Sequence, residues 1–81
     1  MEFEILYEKL KKLEKKTNIE EMDVYEESIG IVWDEFVDVQ INDRMFLTST
    51  ILLTDAGLEI YGATGAKLFE LSEIEEIDID V

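Results

Sequence analysis

From Ile29 onward, apolar residues return at every second position, and this period limits the fold more than any other feature of the chain. Ile29, Ile31 and Trp33 alternate; Val37, Val39 and Ile41 then alternate with Asp38 and Gln40; at the end Ile77, Ile79 and Val81 alternate with Glu76, Asp78 and Asp80. A side-chain period of two belongs to a strand with one face buried. Between these stretches, Asn42-Asp43 is a turn signal leading into a long strand over 44–54. The segment TDAG (54–57) reads as a hairpin loop, with Gly57 supplying a positive φ in a three-residue connection. Leu58, Ile60 and Tyr61 carry the next strand, GATG (62–65) turns again, and 67–71 forms another strand. Ser72 and Glu75 have capping-box spacing, so SEIEE reads as one helical turn before a final strand at 77–81. Residues 32–41 keep two readings, because Trp33, Phe36, Val37 and Ile41 also fit a helical period.

The first residues follow a different rule. Phe3, Leu6, Leu10 and Leu13 recur at heptad spacing, and Ile5 and Tyr7 broaden the stripe, which predicts an amphipathic helix over 2–16. Glu2 and Glu4 suit the positive end of its dipole, and Lys15 and Lys16 the negative end. Two heptads are too few to sustain a coiled coil alone, so the stripe is expected to pack on the chain's own sheet. Asn18 followed by Glu21 has capping-box geometry, and Ile19, Met22 and Tyr25 or Glu26 share one helical face, which allows a second short helix over 19–27. The predicted fold is α+β in a single domain, 1–81. The N-terminal helix, with or without that second one, packs on a four- to five-stranded antiparallel meander.

Charge is distributed unevenly. Residues 1–16 hold five lysines against four acids, a net of +1; residues 17–81 hold seventeen acids against Arg44 and Lys67, a net of −15. A net charge of about 2–8 is enough to keep a small domain soluble. The larger value carries a cost in self-repulsion, so a role beyond solubility is expected. The acidity would repel nucleic acid and anionic membranes, so neither is expected as a direct ligand, and a basic protein surface is its complement. No apolar run has the length of a membrane span, and the N-terminus lacks the layout of a signal peptide. The expectation is a cytoplasmic protein, in the host cytoplasm if phage-encoded, working as a monomer or small homo-oligomer.

Chemistry leaves few signatures. With no His and no Cys, the usual nucleophile–base pairs are absent, and paired carboxylates would need a cleft that raises one pKa. DVYEESIG (23–30) and DIDV (78–81) do not satisfy a calcium loop. GATGAK (62–67) lacks the length and the Gly-Lys-Ser/Thr ending of a phosphate loop. No enzyme activity, metal or cofactor is expected.

Two resemblances follow from these residues. ILLTDAGLEIYG (51–62) followed by KLFELSEIEEIDI (67–79) resembles the strand–hairpin–strand run of bacterial PH-like and GRAM-like domains, with their L-T-x-x-x-L-x-I-Y pattern at 53–61. That likeness implies a meander but no ligand, because the basic lipid-binding residues have no counterpart here. In size and charge, though in no shared motif, the chain is similar to small acidic phage proteins that mimic DNA and block nucleic-acid-binding defence enzymes, anti-CRISPR proteins among them.

The expected function is therefore that of an acidic inhibitor occupying a basic, nucleic-acid-binding surface of a partner protein. The alternative is a non-catalytic adaptor of PH-like type whose acidity is incidental. The carboxylates expected to form the surface are Glu26, Glu27, Asp34, Glu35, Asp38, Asp43, Glu59, Glu70, Glu75, Glu76, Asp78 and Asp80, with Trp33, Phe46 and Tyr61 as candidate aromatic anchors. Acids two apart on one strand stand about 6.6–6.8 Å apart, whereas duplex DNA carries one charge per roughly 1.7 Å of axis. Several neighbouring columns would be needed to approach that density.

Overall fold

The computed structural model describes residues 1–80 and places one helix against one face of a six-stranded antiparallel sheet. Helix α1 (Phe3–Lys11) tightens into a 3-10 turn, Lys12–Lys15. Five strands follow as a meander: β1 (Ile19–Val24), β2 (Ile29–Ile41), β3 (Arg44–Thr54), β4 (Gly57–Gly62) and β5 (Gly65–Phe69). After a second 3-10 turn, Leu71–Glu73, strand β6 (Ile77–Asp80) returns to pair with β2. The last residue of the expected strand, Val81, lies outside the described residues. Among those residues no helix is long and apolar enough to cross a membrane.

The heptad positions of α1 do what their spacing predicts. Leu6 and Leu10 are fully buried, and Phe3, Tyr7 and Leu13 pack at the margin of the core. Ile5 is instead 52% exposed, so the buried stripe is narrower than the sequence suggests. Beneath the helix lie the inward residues of the sheet, Ile29, Ile31, Val39, Ile51, Leu53, Leu58 and Ile60 among them, each at most 2% exposed. Ile74, at the end of the second 3-10 turn, closes the core from the side and is fully buried.

The second helix does not form: 19–24 is strand β1, and Tyr25–Ser28 is its turn into β2. The reason lies in the register. Ile19 pairs with Trp33 but Glu21 with Val32, so β1 carries a bulge between these pairs. The bulge separates the inward residues Ile19 and Met22 by three positions, which imitates a helical repeat. The Asn18 carbonyl accepts from the Asp34 N–H at 3.1 Å, tying this segment to β2. The ambiguous stretch 32–41 resolves as strand for the same kind of reason. Val32 pairs with Thr50 and Val37 with Thr48, so four residues of β2 stand opposite one of β3, and this irregularity produced the apparent helical spacing of Trp33, Phe36 and Val37. With β1 counted, the sheet has six strands rather than four or five.

β2 is long enough for two strands to share its second edge. β1 pairs with 29–33 and β6 with 38–41, the gap falling at the irregular segment. Asn42 fixes the junction. It adopts the left-handed conformation at φ 56°, common enough for Asn in a two-residue turn. Its Oδ1 accepts from the N–H groups of Glu75 and Glu76 at 2.8 and 3.1 Å, and its Nδ2 donates to the Glu73 carbonyl at 2.9 Å. These bonds, not a Ser72–Glu75 capping box, organise the approach to β6; the 3-10 turn has no side-chain cap.

Two glycines are fixed by their surroundings. Gly57 has φ 149° in the Asp55–Ala56 turn, a connection one residue shorter than expected, and a Cβ there would stand 2.5 Å from the Phe69 carbonyl oxygen. A Cβ on Gly62 would fall 1.8 Å from the Leu47 carbonyl oxygen, where β4 crosses the bend of β3. Gly30, in contrast, has room: its nearest neighbour would be a methyl of Leu52 at 3.9 Å. Gly62→Ala is expected to destabilise by about 1–3 kcal/mol. Gly30→Ala should instead stabilise by about 0.4–1 kcal/mol. Urea denaturation of the two variants checks the opposite signs.

Candidate functional site

Register and burial together define the sheet face that α1 leaves open. Counting from the inward residues, the opposite parity places Glu21 and Asp23 of β1, Asp38 of β2, Glu59 of β4, and Asp78 and Asp80 of β6 on this outer face. The two basic residues beyond the helix are not there. Arg44 pairs with inward Ile41 and lies over the Phe46 ring at 5.3 Å, and Lys67 pairs with inward Ile60. The five lysines of 9–16 ride on the helix side. Among the described residues the outer face therefore carries six carboxylates and no cation, with Lys9 and Lys12 of the helix meeting it only at the β6 edge, where they line the same depressions as Asp78. None of the side-chain hydrogen bonds among the described residues joins a lysine to a carboxylate.

Asp38 and Asp80 are direct cross-strand partners on this face. Opposed residues of an antiparallel pair have Cα atoms about 4.5–5.5 Å apart, closer than successive carboxylates along one strand. A second group borders the face at the Asn42 junction. There the side-chain clamp brings Glu73, Glu75 and Glu76 beside Asp43 around a shallow depression that Gln40 also lines. No three acids among the described residues converge closely enough to hold a metal ion.

The expected carboxylates thus divide. Asp38, Glu59, Asp78 and Asp80 share the outer face, and Asp43, Glu75 and Glu76 form the junction rim, which Glu73 joins. Asp34 and Glu35 are exposed in the irregular segment of β2, Glu26 and Glu27 occupy the β1–β2 turn, and Glu70 precedes the second 3-10 turn. Of the aromatic anchors, Trp33 and Phe46 belong to the core at 2% and 8% exposure, and only Tyr61 reaches the outer face. Phe46 packs edge-on against Phe69 with ring centroids 5.6 Å apart.

Sequence reasoning missed four apolar residues on the same face. Met45, Leu47 and Leu52 stand along β3 between inward Phe46, Thr48, Ile51 and Leu53, and Leu68 stands on β5. The signal was present: β3 is apolar at both parities over 45–47 and 51–53, which a strand with one solvated face does not need.

Tyr61 and Glu59 are two apart on β4, and the Tyr61 hydroxyl donates to Glu59 Oε2. That hydrogen bond, aided by the nearby negative charge, raises the Tyr61 phenol above its ordinary value. A phenol raised in the folded state contributes its stability below the ordinary value and loses it as pH rises through the raised one. In a Tyr7→Phe/Tyr25→Phe background, Glu59→Gln should return the tyrosinate absorbance titration toward about 10. The facing aspartates make a second expectation. Like charges directly opposite one another destabilise a sheet, so Asp80→Lys should raise stability by about 0.2–1 kcal/mol, with the gain shrinking as salt is added. Denaturation midpoints at low and high salt test it.

Comparison with known proteins places the chain beside none of them: no family model, no curated protein and no solved structure matches it.

Proposed function

We propose that this chain is a small non-catalytic inhibitor that occupies the basic, nucleic-acid-binding surface of a partner protein, as a DNA mimic does, in the cytoplasm where such a partner works. The observation that carries the reading is the segregation of charge: among the described residues the open sheet face bears six carboxylates and no cation, while the lysines sit on the helix side and reach only Asp78 at the β6 edge. Asp78 and Asp80 along β6, with Asp38 across from Asp80, give charge in two directions rather than in one column. The rim around Asn42 extends it. An arrangement that sets Asp38 against Asp80 works against folding, and a partner's Lys and Arg side chains would relieve it.

A second reading, an adaptor whose binding face is the sheet, draws on the exposed apolar residues of β3 and β5. The two readings differ in salt dependence. A partner captured on the immobilised chain from its source cell would be identified and tested for competition with DNA or RNA. The mimic reading expects mutual exclusion, an association rate falling about tenfold or more from low to high salt, and a comparable loss in the Asp38→Asn/Asp78→Asn/Asp80→Asn variant. Simultaneous binding of nucleic acid, or association indifferent to salt and to these substitutions, would leave the adaptor reading in place.

A further inference from the structure

The outer face has an apolar centre as well as an acidic margin. Met45, Leu47 and Leu52 are 59%, 52% and 36% exposed, and they follow one another along β3, the middle strand of the β1–β5 order. Tyr61 pairs with Thr50 of β3 and brings its ring beside the line at 39% exposure, and Leu68, 68% exposed on β5, stands beyond Glu59, the partner of Leu52. Single exposed apolar residues are ordinary, but five on one face of so small a molecule form a patch. Carboxylates flank it on both sides: Asp38 pairs with Leu47 and Glu59 with Leu52.

We propose that this apolar line is the anchor of the interface, and that its occupant is a protein segment presenting apolar side chains bordered by lysine or arginine. The inference rests on the acidic-surface reading above and specifies the partner: charge selects and steers it, and the β3 line holds it. An apolar centre inside a polar rim is the ordinary anatomy of a protein interface. A second copy of this chain set face to face is the wrong occupant, because it would put Asp38, Asp80 and Glu59 against their own kind. Nucleic acid and anionic lipid are repelled for the same reason.

The test uses two short synthetic peptides, one alternating lysine with leucine and the other lysine with serine, titrated into the full chain while backbone amide NMR shifts are followed. The lysine–leucine peptide is expected to bind more tightly and to shift amides of β3 and β4 around Leu47, Leu52 and Tyr61. Leu47→Ser/Leu68→Ser should weaken it at least about tenfold, and Asp38→Asn/Asp80→Asn should weaken both peptides. Leu47 and Leu68 are both more than half exposed, and the amide spectrum of each variant reports whether its fold is kept. Milder Leu47→Thr serves if the double variant unfolds. Equal binding of the two peptides, unaffected by the leucine substitutions, overturns the apolar anchor while the acidic reading stands. Failure of both peptides to bind, or binding indifferent to the aspartate substitutions, overturns both. Self-association by sedimentation that the leucine substitutions abolish would make a second copy the occupant and overturn the proposal.

Discussion

Backbone pairing along β2 is the constraint from which the rest of the molecule is arranged. Three of the five strand pairings use it: β3 on one edge, and β1 and β6 in succession on the other. One edge can serve two strands because the irregular segment between Val32 and Val37 divides the thirteen-residue strand into two lengths. The N-terminal length holds the meander's first strand and the C-terminal length its last, so chain segments more than fifty residues apart become neighbours on one sheet. Inward residues from both lengths then present a single apolar face to Leu6 and Leu10, and burial of that face is the principal force holding a chain that has no cysteine with which to form a disulfide.

Charge and stability pull in opposite directions on the other side of the sheet. Asp38 faces Asp80, both lack a basic neighbour on that face, and the few cations are placed elsewhere. A sequence shaped for stability alone would put a lysine at one of these positions. Leu47 and Leu68 are also more exposed than solubility favours. The same face therefore departs from stable design in two independent ways, through unrelieved like charge and through unsatisfied apolar surface, and one basic, apolar partner would answer both. Conflicts between local rule and global fold that fall together on a surface are where function is expected.

How much could be read beforehand follows from where the pleat is regular. The heptad spacing of Leu6 and Leu10, the alternation through Ile29–Trp33 and Val37–Ile41, the Asn42-Asp43 turn and the strand at Ile77–Asp80 were all legible, because each obeys one period with a defined stop. The two misreadings between residues 19 and 41 each sit at a bulge. The shift between Ile19 and Glu21 made a strand resemble a helix, and the shift between Val32 and Val37 made β2 ambiguous. An added residue changes the spacing of inward side chains from two to three, and a one-dimensional pattern cannot distinguish that from a turn of helix. The acids of the outer face were legible one by one, but their company was not, since the pairing of Asp38 with Asp80 depends on β6 returning to β2 rather than to β5. Trp33 and Phe46 were candidates for the surface because aromatic type says nothing of parity; once the strands are in register, both turn inward.

Trp33 has a further consequence through its position. It is the chain's single tryptophan, it is 2% exposed, and it begins the segment where β2 changes partners; its indole Nε1 has no acceptor among the described residues. Tryptophan emission from this protein therefore comes from one indole, placed where the two halves of the sheet join. Any loosening of that seam would admit solvent to the ring and move its emission to the red, without any label being attached.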